Sequence, residues 1–447
     1  MIKYYKWILL IILIFTLFSR SLVGIKMMNK MCFEKTIIGR DSEHYVNIAK
    51  NLLFKKIYAF GEHPTSIRPP GYPYFLLFNY KFFGVDNVKV IVYEQIIITV
   101  FVVFLIFLIG KEFSIVCGLI ASLCYAIWYP NWERVGWIST EVLTVFSLTL
   151  STLLLLYGLN KKKNFYYFFS GIAVGISALT RAEILIIPVV FVIVMVIMKN
   201  YKIGFFLLGV CLILCPWILR NYIVHGKFLF TTSTGILLFC DQGSHKVEEQ
   251  DCGSMFFGIK SEEIRKFSNL FDIALTGKER EYDEIIIKEK LNYAINYPLK
   301  VLKVLVKNFL IMFYPMGPSV WLDRYDPIYG TIMAFIFIYF IFYFKKEKLK
   351  TNILIILLFW LPLLIPYTLF TGDPIYRASY EPILCIIGSY GIVKFFENAT
   401  STDKLIRKIL VFILLISVNV LLHFIYVGKV REYVATAIIA KVLGLKI

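Results

Sequence analysis

Charge is scarce in this chain of 447 residues: Asp, Glu, Lys and Arg make up 17%, against 59% hydrophobic residues and a mean hydropathy of +0.72. A soluble domain carries roughly 25% charged residues, so an ordinary water-exposed surface is excluded and the membrane is the expected solvent. Histidine occurs five times. No pair of histidines has i, i+4 spacing around a Glu, which excludes a zincin-type metal site for His44, His63 and His245. The eight cysteines are too scattered for a disulfide scaffold and show no zinc-type spacing. Cys117, Cys124, Cys211, Cys215 and Cys385 fall inside apolar runs as small packing residues. Cys240 and Cys252 share a hydrophilic stretch, so a disulfide between them stays open. Linkers rich in Gly, Ser or Pro and internal repeats are both missing, and the chain reads as one domain over 1–447.

What the chain has is apolar runs. A hydrocarbon core about 30 Å thick takes roughly 20 apolar residues per helical crossing. Run length and flanking charge place crossings at 7–25, 88–110, 113–130, 136–158, 164–181, 183–198, 203–219, 327–344, 351–371, 379–397 and 407–427. The expected fold is therefore an all-α polytopic membrane protein with about eleven transmembrane helices, in a range of roughly 10–13. The stretch Trp7–Ile25 runs longer than a signal-peptide core and reads as a retained first helix. Acidic residues number 30 against 48 basic ones, a net charge of +18. The lysines gather in short loops rather than on one basic face, which argues topology and not nucleic acid. Lys161–Lys163, Lys199, Lys202, Lys345, Lys346, Lys348, Lys350, Lys404, Arg407 and Lys408 share one side under this threading. The positive-inside rule makes that side cytoplasmic. Two long hydrophilic stretches, 26–87 and 220–326, then face outward. Within the second, Ser261–Asn296 has helical periodicity, and Val301–Phe313, which carries Lys303 and Lys307, is expected to lie in the interface.

The first outer stretch contains Gly39-Arg40-Asp41-Ser42-Glu43-His44-Tyr45 and, further on, Arg68-Pro69-Pro70-Gly71-Tyr72-Pro73. Tyr45, Ile48, Ala49 and Leu52 have helical spacing, which sets Asp41 at the head of a short amphipathic helix on the membrane surface. Asp is a favoured residue at such a position for capping alone. Trp132, Trp137, Trp217 and Trp321 fit an aromatic belt, and the sequon Asn398-Ala399-Thr400 falls on the cytoplasmic side.

Taken in order, these pieces resemble the GT-C glycosyltransferases related to protein O-mannosyltransferases and lipid A aminoarabinose transferases. Tyr129-Pro130 with Ser139-Thr140-Glu141, Leu179-Thr180-Arg181, Pro216-Trp217 with Arg220-Asn221-Tyr222, Tyr376-Arg377 and Glu381-Pro382 are similar to further elements of that group, collinear over about 39–391. The resemblance implies a GT-C fold with extracytoplasmic amphipathic interfacial helices and a plasma-membrane enzyme with an extracytoplasmic site. It implies a polyprenyl-phosphate sugar as donor, membrane lipid as its setting, and a glycan, glycolipid or protein as acceptor. It makes Asp41 the expected catalytic base, with Glu43 beside it in an Asp-x-Glu pattern in place of the commoner Asp-Glu pair. No cofactor is expected, although that spacing of oxygen ligands leaves a divalent metal open.

Arg68, Arg181, Arg220 and Arg377 stand at the outer ends of crossings or in outer loops, where basic residues are least expected. Snorkelling accounts for a single such residue. Four at motif positions point to an anionic ligand, and planar guanidinium groups suit a phosphate because they offer a bidentate fork at any working pH. Arg68 and Arg377 are the first candidates, with Arg181 and Arg220 behind them. Tyr45, Glu141 and Tyr376 are candidates for acceptor or sugar contacts. One attack opposite the departing phosphate implies inversion of the anomeric centre. Competing readings are a transporter or flippase, a surface-polysaccharide polymerase or ligase, and a silent relative that only binds lipid. A transporter would show mid-membrane charges and repeat symmetry, neither of which is evident here, and a polymerase would carry its densest motif late in the chain.

Overall fold

A computed structural model describes residues 2–34, 40–197, 199, 201–239, 261, 270–313, 326–346, 350–370, 374–397 and 401–425. Cys240, Cys252, His245, Trp321 and the 398–400 sequon lie outside these residues, as does the side chain of Asp41. The chain begins with helix α1 (Tyr5–Glu34), followed by α2 (Arg40–Phe54), a two-stranded antiparallel hairpin of β1 (Ala59–Phe60) and β2 (His63–Pro64), and α3 (Gly71–Phe83). Next come α4 (Val88–Lys111), α5 (Ile115–Ile127), the one-turn α6 (Pro130–Glu133), α7 (Glu141–Lys161), α8 (Asn164–Thr180), α9 (Ile186–Ile197) and α10 (Ile203–His225). The second long stretch holds α11 (Thr234–Leu237), α12 (Leu270–Leu275), α13 (Glu279–Asn296) and α14 (Pro298–Phe313). The last group is α15 (Pro327–Phe342), α16 (Lys350–Leu358), α17 (Leu364–Leu369), α18 (Glu381–Glu397) and α19 (Thr402–Ile425).

The fold class expected from the sequence, an all-α polytopic membrane protein, is the one found. Among the described residues five helical segments are long and apolar enough to cross a bilayer: Tyr5–Asn29, Val88–Lys111, Glu141–Lys161, Ile203–His225 and Thr351–Leu369. A sixth arises if Ile115–Ile127 and Pro130–Gly136, bent by 66°, form one broken span, while Ala182–Ile197 and Pro327–Phe342 are shorter apolar helices. A helix or helix pair thus occupies each stretch read as a crossing, but among the described residues only these are both long and apolar enough for a full span. The 113–130 stretch is broken at Trp128, whose backbone is extended (φ −72°, ψ 104°), and Pro130, which has no N–H to donate, opens the next turn.

Short connections make neighbouring helices antiparallel, and contacts between the turns fix the two ends. Asn160 Nδ2 donates to Glu112 Oε2 (2.9 Å) and Lys202 Nζ to the Lys162 carbonyl, so the 112, 160–163 and 199–202 turns gather at one end. Glycines set the closest helix contacts: a Cβ on Gly171 of α8 would stand 2.0 Å from the Phe206 carbonyl oxygen of α10, and one on Gly209 of α10 would stand 2.2 Å from that of Phe168. Lipid tails are as apolar as Leu, so such close backbone packing is what holds helices together in a bilayer. Side chains including Trp7, Ile11, Phe18, Leu212 and Ile223 stay exposed on the outer surface of the bundle.

The long hydrophilic stretches pack on the opposite end. Helix α2 buries Tyr45, Ile48 and Ala49, the face that the helical spacing marked out. The 261–296 periodicity resolves into α12 and α13 separated at Gly277, whose φ of +70° suits glycine. Helix α14 buries Val301, Val304, Asn308 and Met312 along one side and leaves Leu299, Leu302, Lys303 and Phe309 exposed.

Candidate functional site

A break in α5–α6 organises this end of the molecule. The last carbonyls of a helix have no partner within it. Arg20, fully buried in α1, supplies partners by donating through Nη2 to Tyr125 O (3.0 Å) and through Nη1 to Ala126 O. Trp132 Nε1 also donates to Ala126 O (2.8 Å), and the Arg20 guanidinium lies 5.6 Å from the Trp132 ring centre. The segment after the break is held by Gln95 of α4. Its amide donates to Val135 O (2.8 Å) and Trp137 O (2.9 Å) and accepts from Tyr72 OH (3.1 Å).

That segment presents two buried ion pairs. Arg134 grips Glu381, the first residue of α18, with both carboxylate oxygens engaged; the side chains are 5% and 1% exposed. Arg181, directly after α8, donates through Nη1 to Glu141 Oε1 (3.1 Å) and through Nε to Glu183 Oε1 (2.5 Å), and lies 4.9 Å from the Tyr376 ring centre. Glu141 and Arg134 are electrostatic neighbours, so the two pairs form one network. Arg377 is completely buried, its guanidinium 4.1 Å from the Tyr329 ring centre. Asp326 caps α15 by accepting from Tyr329 N (3.0 Å) and also accepts from Trp128 Nε1 (2.5 Å).

Helix α2 docks beside this network. Ser42 Oγ donates to Ile138 O (2.8 Å), tying the first turn of α2 to the approach to α7. The backbone of Asp41 belongs to that turn, and Glu43 is exposed. Arg68 is half-buried, its guanidinium 5.6 Å from the centre of the Tyr45 ring, which itself packs edge-on against Tyr72 at 5.2 Å. His44 is buried against Phe60, and burial with the nearby Arg68 charge pushes its pKa down to about 2. The imidazole is therefore neutral at working pH, with the positive charge beside it on Arg68.

The segment carrying Arg68 is clamped from two sides. Arg220 donates through Nη1 to Thr65 O (2.7 Å) and Ser66 Oγ (2.9 Å) and through Nη2 to Tyr58 O (2.8 Å), with the Tyr58 and Trp217 rings at 5.2 and 5.1 Å. From the second long stretch, Glu279 accepts from Thr65 Oγ1 (2.6 Å), Ser66 N (2.6 Å) and Thr232 Oγ1 (2.9 Å). Burial raises its pKa, and these donors oppose that rise. Tyr58 OH donates to the Arg68 carbonyl (2.8 Å). Ser66 Oγ also lies 2.8 Å from His225 Nε2, but Glu279 approaches that same nitrogen (3.4 Å), so this is no nucleophile–base–acid relay.

The four motif arginines thus have distinct settings. Arg181 is engaged by two carboxylates and Arg377 is buried under Tyr329, while Arg68 and Arg220 are both half-buried, Arg220 bonded to backbone and side-chain oxygens of the clamp and Arg68 lying over Tyr45. Arg134, Glu279, Gln95 and Arg20 are what the sequence reading missed. Glu381 is one of the motif residues, and a buried acid in an apolar chain signals a basic partner, but nothing in the sequence says which. Among the described residues no three His, Cys, Asp or Glu side chains come together in a metal-binding group.

Comparison with known proteins fits this picture. The sequence model of the dolichyl-phosphate-mannose-protein mannosyltransferase family matches residues 67–219, about a third of the chain. A search of curated proteins found no match. Among solved structures, the chain is similar to the Archaeoglobus fulgidus oligosaccharyltransferase tethered to an acceptor peptide, at 12% identity and TM-score 0.50, covering 100% of this chain and 59% of that one. It also matches AglB of the same organism with an inhibitory peptide and dolichol-phosphate (12%, TM-score 0.49, 93% and 56% covered). A third match is ArnT from Cupriavidus metallidurans bound to undecaprenyl phosphate (11%, TM-score 0.40, 89% and 79% covered). The chain spans less than two thirds of the oligosaccharyltransferase's length. The membrane fold resembles the GT-C glycosyltransferases, as the motifs implied.

Proposed function

We propose that the protein is an inverting GT-C-type glycosyltransferase of the cell membrane, moving a sugar from a polyprenyl-phosphate donor to an extracytoplasmic glycan, glycolipid or protein. The observation that carries this reading is the half-buried Arg68, held over Tyr45 and beside neutral His44 of α2, the helix whose first turn includes Asp41. A cation over the helix that carries Asp41 supports a phosphate site near that carboxylate. The mannosyltransferase-family match over 67–219 supports the same chemistry.

In this mechanism the acceptor hydroxyl oxygen bonds to the anomeric carbon while the Asp41 carboxylate takes its proton. The bond from that carbon to the phosphate oxygen breaks, and the electron pair leaves with the polyprenyl phosphate. Arg68 faces the charge that grows on the phosphate, in a site where a preorganised cation acts most strongly. Tyr45 holds the Arg68 plane. Glu141 and Tyr376 orient Arg181, which forms the wall of the site with Glu183, rather than meeting the phosphate. Arg377, sealed under Tyr329, and Arg220, spent on the clamp, are assigned to support. The reaction is taken to run without a metal, a point that activity after chelation checks.

The test is transfer of radiolabelled sugar from a panel of polyprenyl-phosphate hexoses and pentoses to membrane-lipid and wall fractions, by purified protein in lipid. Transfer that disappears in Asp41→Asn supports the reading and names the donor. Tight binding of polyprenyl phosphate with no transfer from any donor, or carrier movement between leaflets without transfer, replaces it with a lipid-binding or flippase role.

A further inference from the structure

At the bend between α5 and α6 a cavity of about 10 Å³ is lined by Thr99, Asn131, Arg134 and Glu141, with Val102 and Val145 on its apolar side. All of these side chains are buried; Asn131 is 2% and Glu141 7% exposed. Asn131 Oδ1 accepts from Arg134 Nη1, which fixes the amide orientation and leaves Nδ2, a donor, without a partner among the described residues. Glu141 Oε1 accepts from Arg181, while Oε2, an acceptor, likewise has none. Asn131 and Glu141 line the same buried cavity, each with one unsatisfied polar atom, an arrangement that is costly unless something joins them.

We infer that this cavity is a binding site for a single water molecule, which bridges Asn131 Nδ2 and Glu141 Oε2. The volume is that of about one water-sized sphere, the lower limit for a buried water. Charge excludes the ions of similar size: a cation would face Arg134 and an amide N–H, and an anion would face Glu141. Water alone can accept from Nδ2 and donate to the carboxylate. Thr99 Oγ1, whose own proton goes to Gln95 O (2.8 Å), keeps lone pairs for the second water proton. The bound water joins Glu183–Arg181–Glu141 to Asn131–Arg134–Glu381, so the ends of α7, α8 and α18 are positioned as one unit across the bend. The inference stands on the cavity and does not rest on the proposed reaction.

Two measurements independent of activity test it. Cryo-electron microscopy in nanodiscs, at a resolution that resolves ordered solvent, should show density within hydrogen-bond distance of both Asn131 Nδ2 and Glu141 Oε2; a clean map without it overturns the proposal. Separately, Val145→Ile and Val102→Ile each add one methylene toward the cavity. Displacing a bridging water lowers the melting temperature by roughly 2 °C or more, whereas filling a dry void raises it or leaves it unchanged, and that second result overturns the site. To separate displacement from steric strain, Val145→Ile is repeated in an Asn131→Leu background. A lost water predicts no further drop there, and an undiminished drop assigns the effect to strain and counts against the water.

Discussion

Arg134 and Glu381 lie 247 positions apart in the sequence, yet they form a buried ion pair with a second contact, Nη2 to Oε1, at 3.0 Å. The pair staples the segment after the α5–α6 break to the first residue of α18. Breaking a buried pair from one side leaves an uncompensated charge, with a cost of about 3–5 kcal/mol. Glu381→Gln and Arg134→Ala should therefore each lower the melting temperature strongly, while the double change Arg134→Met with Glu381→Leu should recover much of the loss. Thermal melts of the four proteins in one detergent decide this, and a double variant no better than the singles contradicts it.

Asp41→Asn should abolish transfer with its melting temperature close to that of the wild type, because the exchange removes a base and keeps the shape. Arg68→Ala should lower kcat and raise KM together, and Arg68→Lys should restore little, since an ammonium lacks the planar fork. Arg377→Ala should act chiefly on stability, its guanidinium being fully buried. Steady-state kinetics alongside melts separate these classes.

Glu279 receives three hydrogen bonds that bind the second long stretch to Thr65, Ser66 and Thr232. Glu279→Ala should raise hydrogen exchange in 58–68 well above the wild type, with transfer falling because Arg68 loses its placement. Unchanged exchange in that segment argues against the clamp.

Asp283 of α13 carries a pH dependence. Its Oδ1 accepts from Gly235 N at 2.6 Å, and burial pushes its pKa up to about 7, with Glu279 and Glu284 adding to the rise and the Gly235 N–H and Lys290 opposing it. Between its unfolded value near 4 and about 7 the folded protein holds more protons than the unfolded one, so stability falls as pH rises through that window. The effect is of order 2–4 kcal/mol at one pKa unit per 1.4 kcal/mol. The melting temperature should drop between about pH 4 and 7, and Asp283→Asn should flatten that drop.

Gly171→Leu should prevent α8 and α10 from packing, because even a Cβ there would meet the Phe206 carbonyl at 2.0 Å. The expected result is loss of folded protein in size-exclusion chromatography, whereas Gly204→Ala, with open space around it, should leave yield unchanged.

The sequence by itself determined the solvent, the helical class and the registers that lie on single helices. Low charge and apolar runs of bilayer length leave the backbone no choice but to satisfy itself internally. The period of Tyr45, Ile48 and Ala49 gave the buried face of α2 for the same local reason. The full crossing count was less legible, since Pro130 breaks one run and α9 and α15 fall short of a span. Pairing was not legible at all. Arg181, Arg220 and Arg377 look alike in a one-dimensional reading, each a cation at the end of an apolar run. Only the tertiary structure decided that one is engaged by Glu141 and Glu183, one by Thr65, Ser66 and Tyr58, and one sealed beneath Tyr329, while Arg68 lies half-buried over Tyr45. The energy of a buried charge depends on which group from a distant part of the chain meets it, and in a low-dielectric interior that meeting outweighs every local preference.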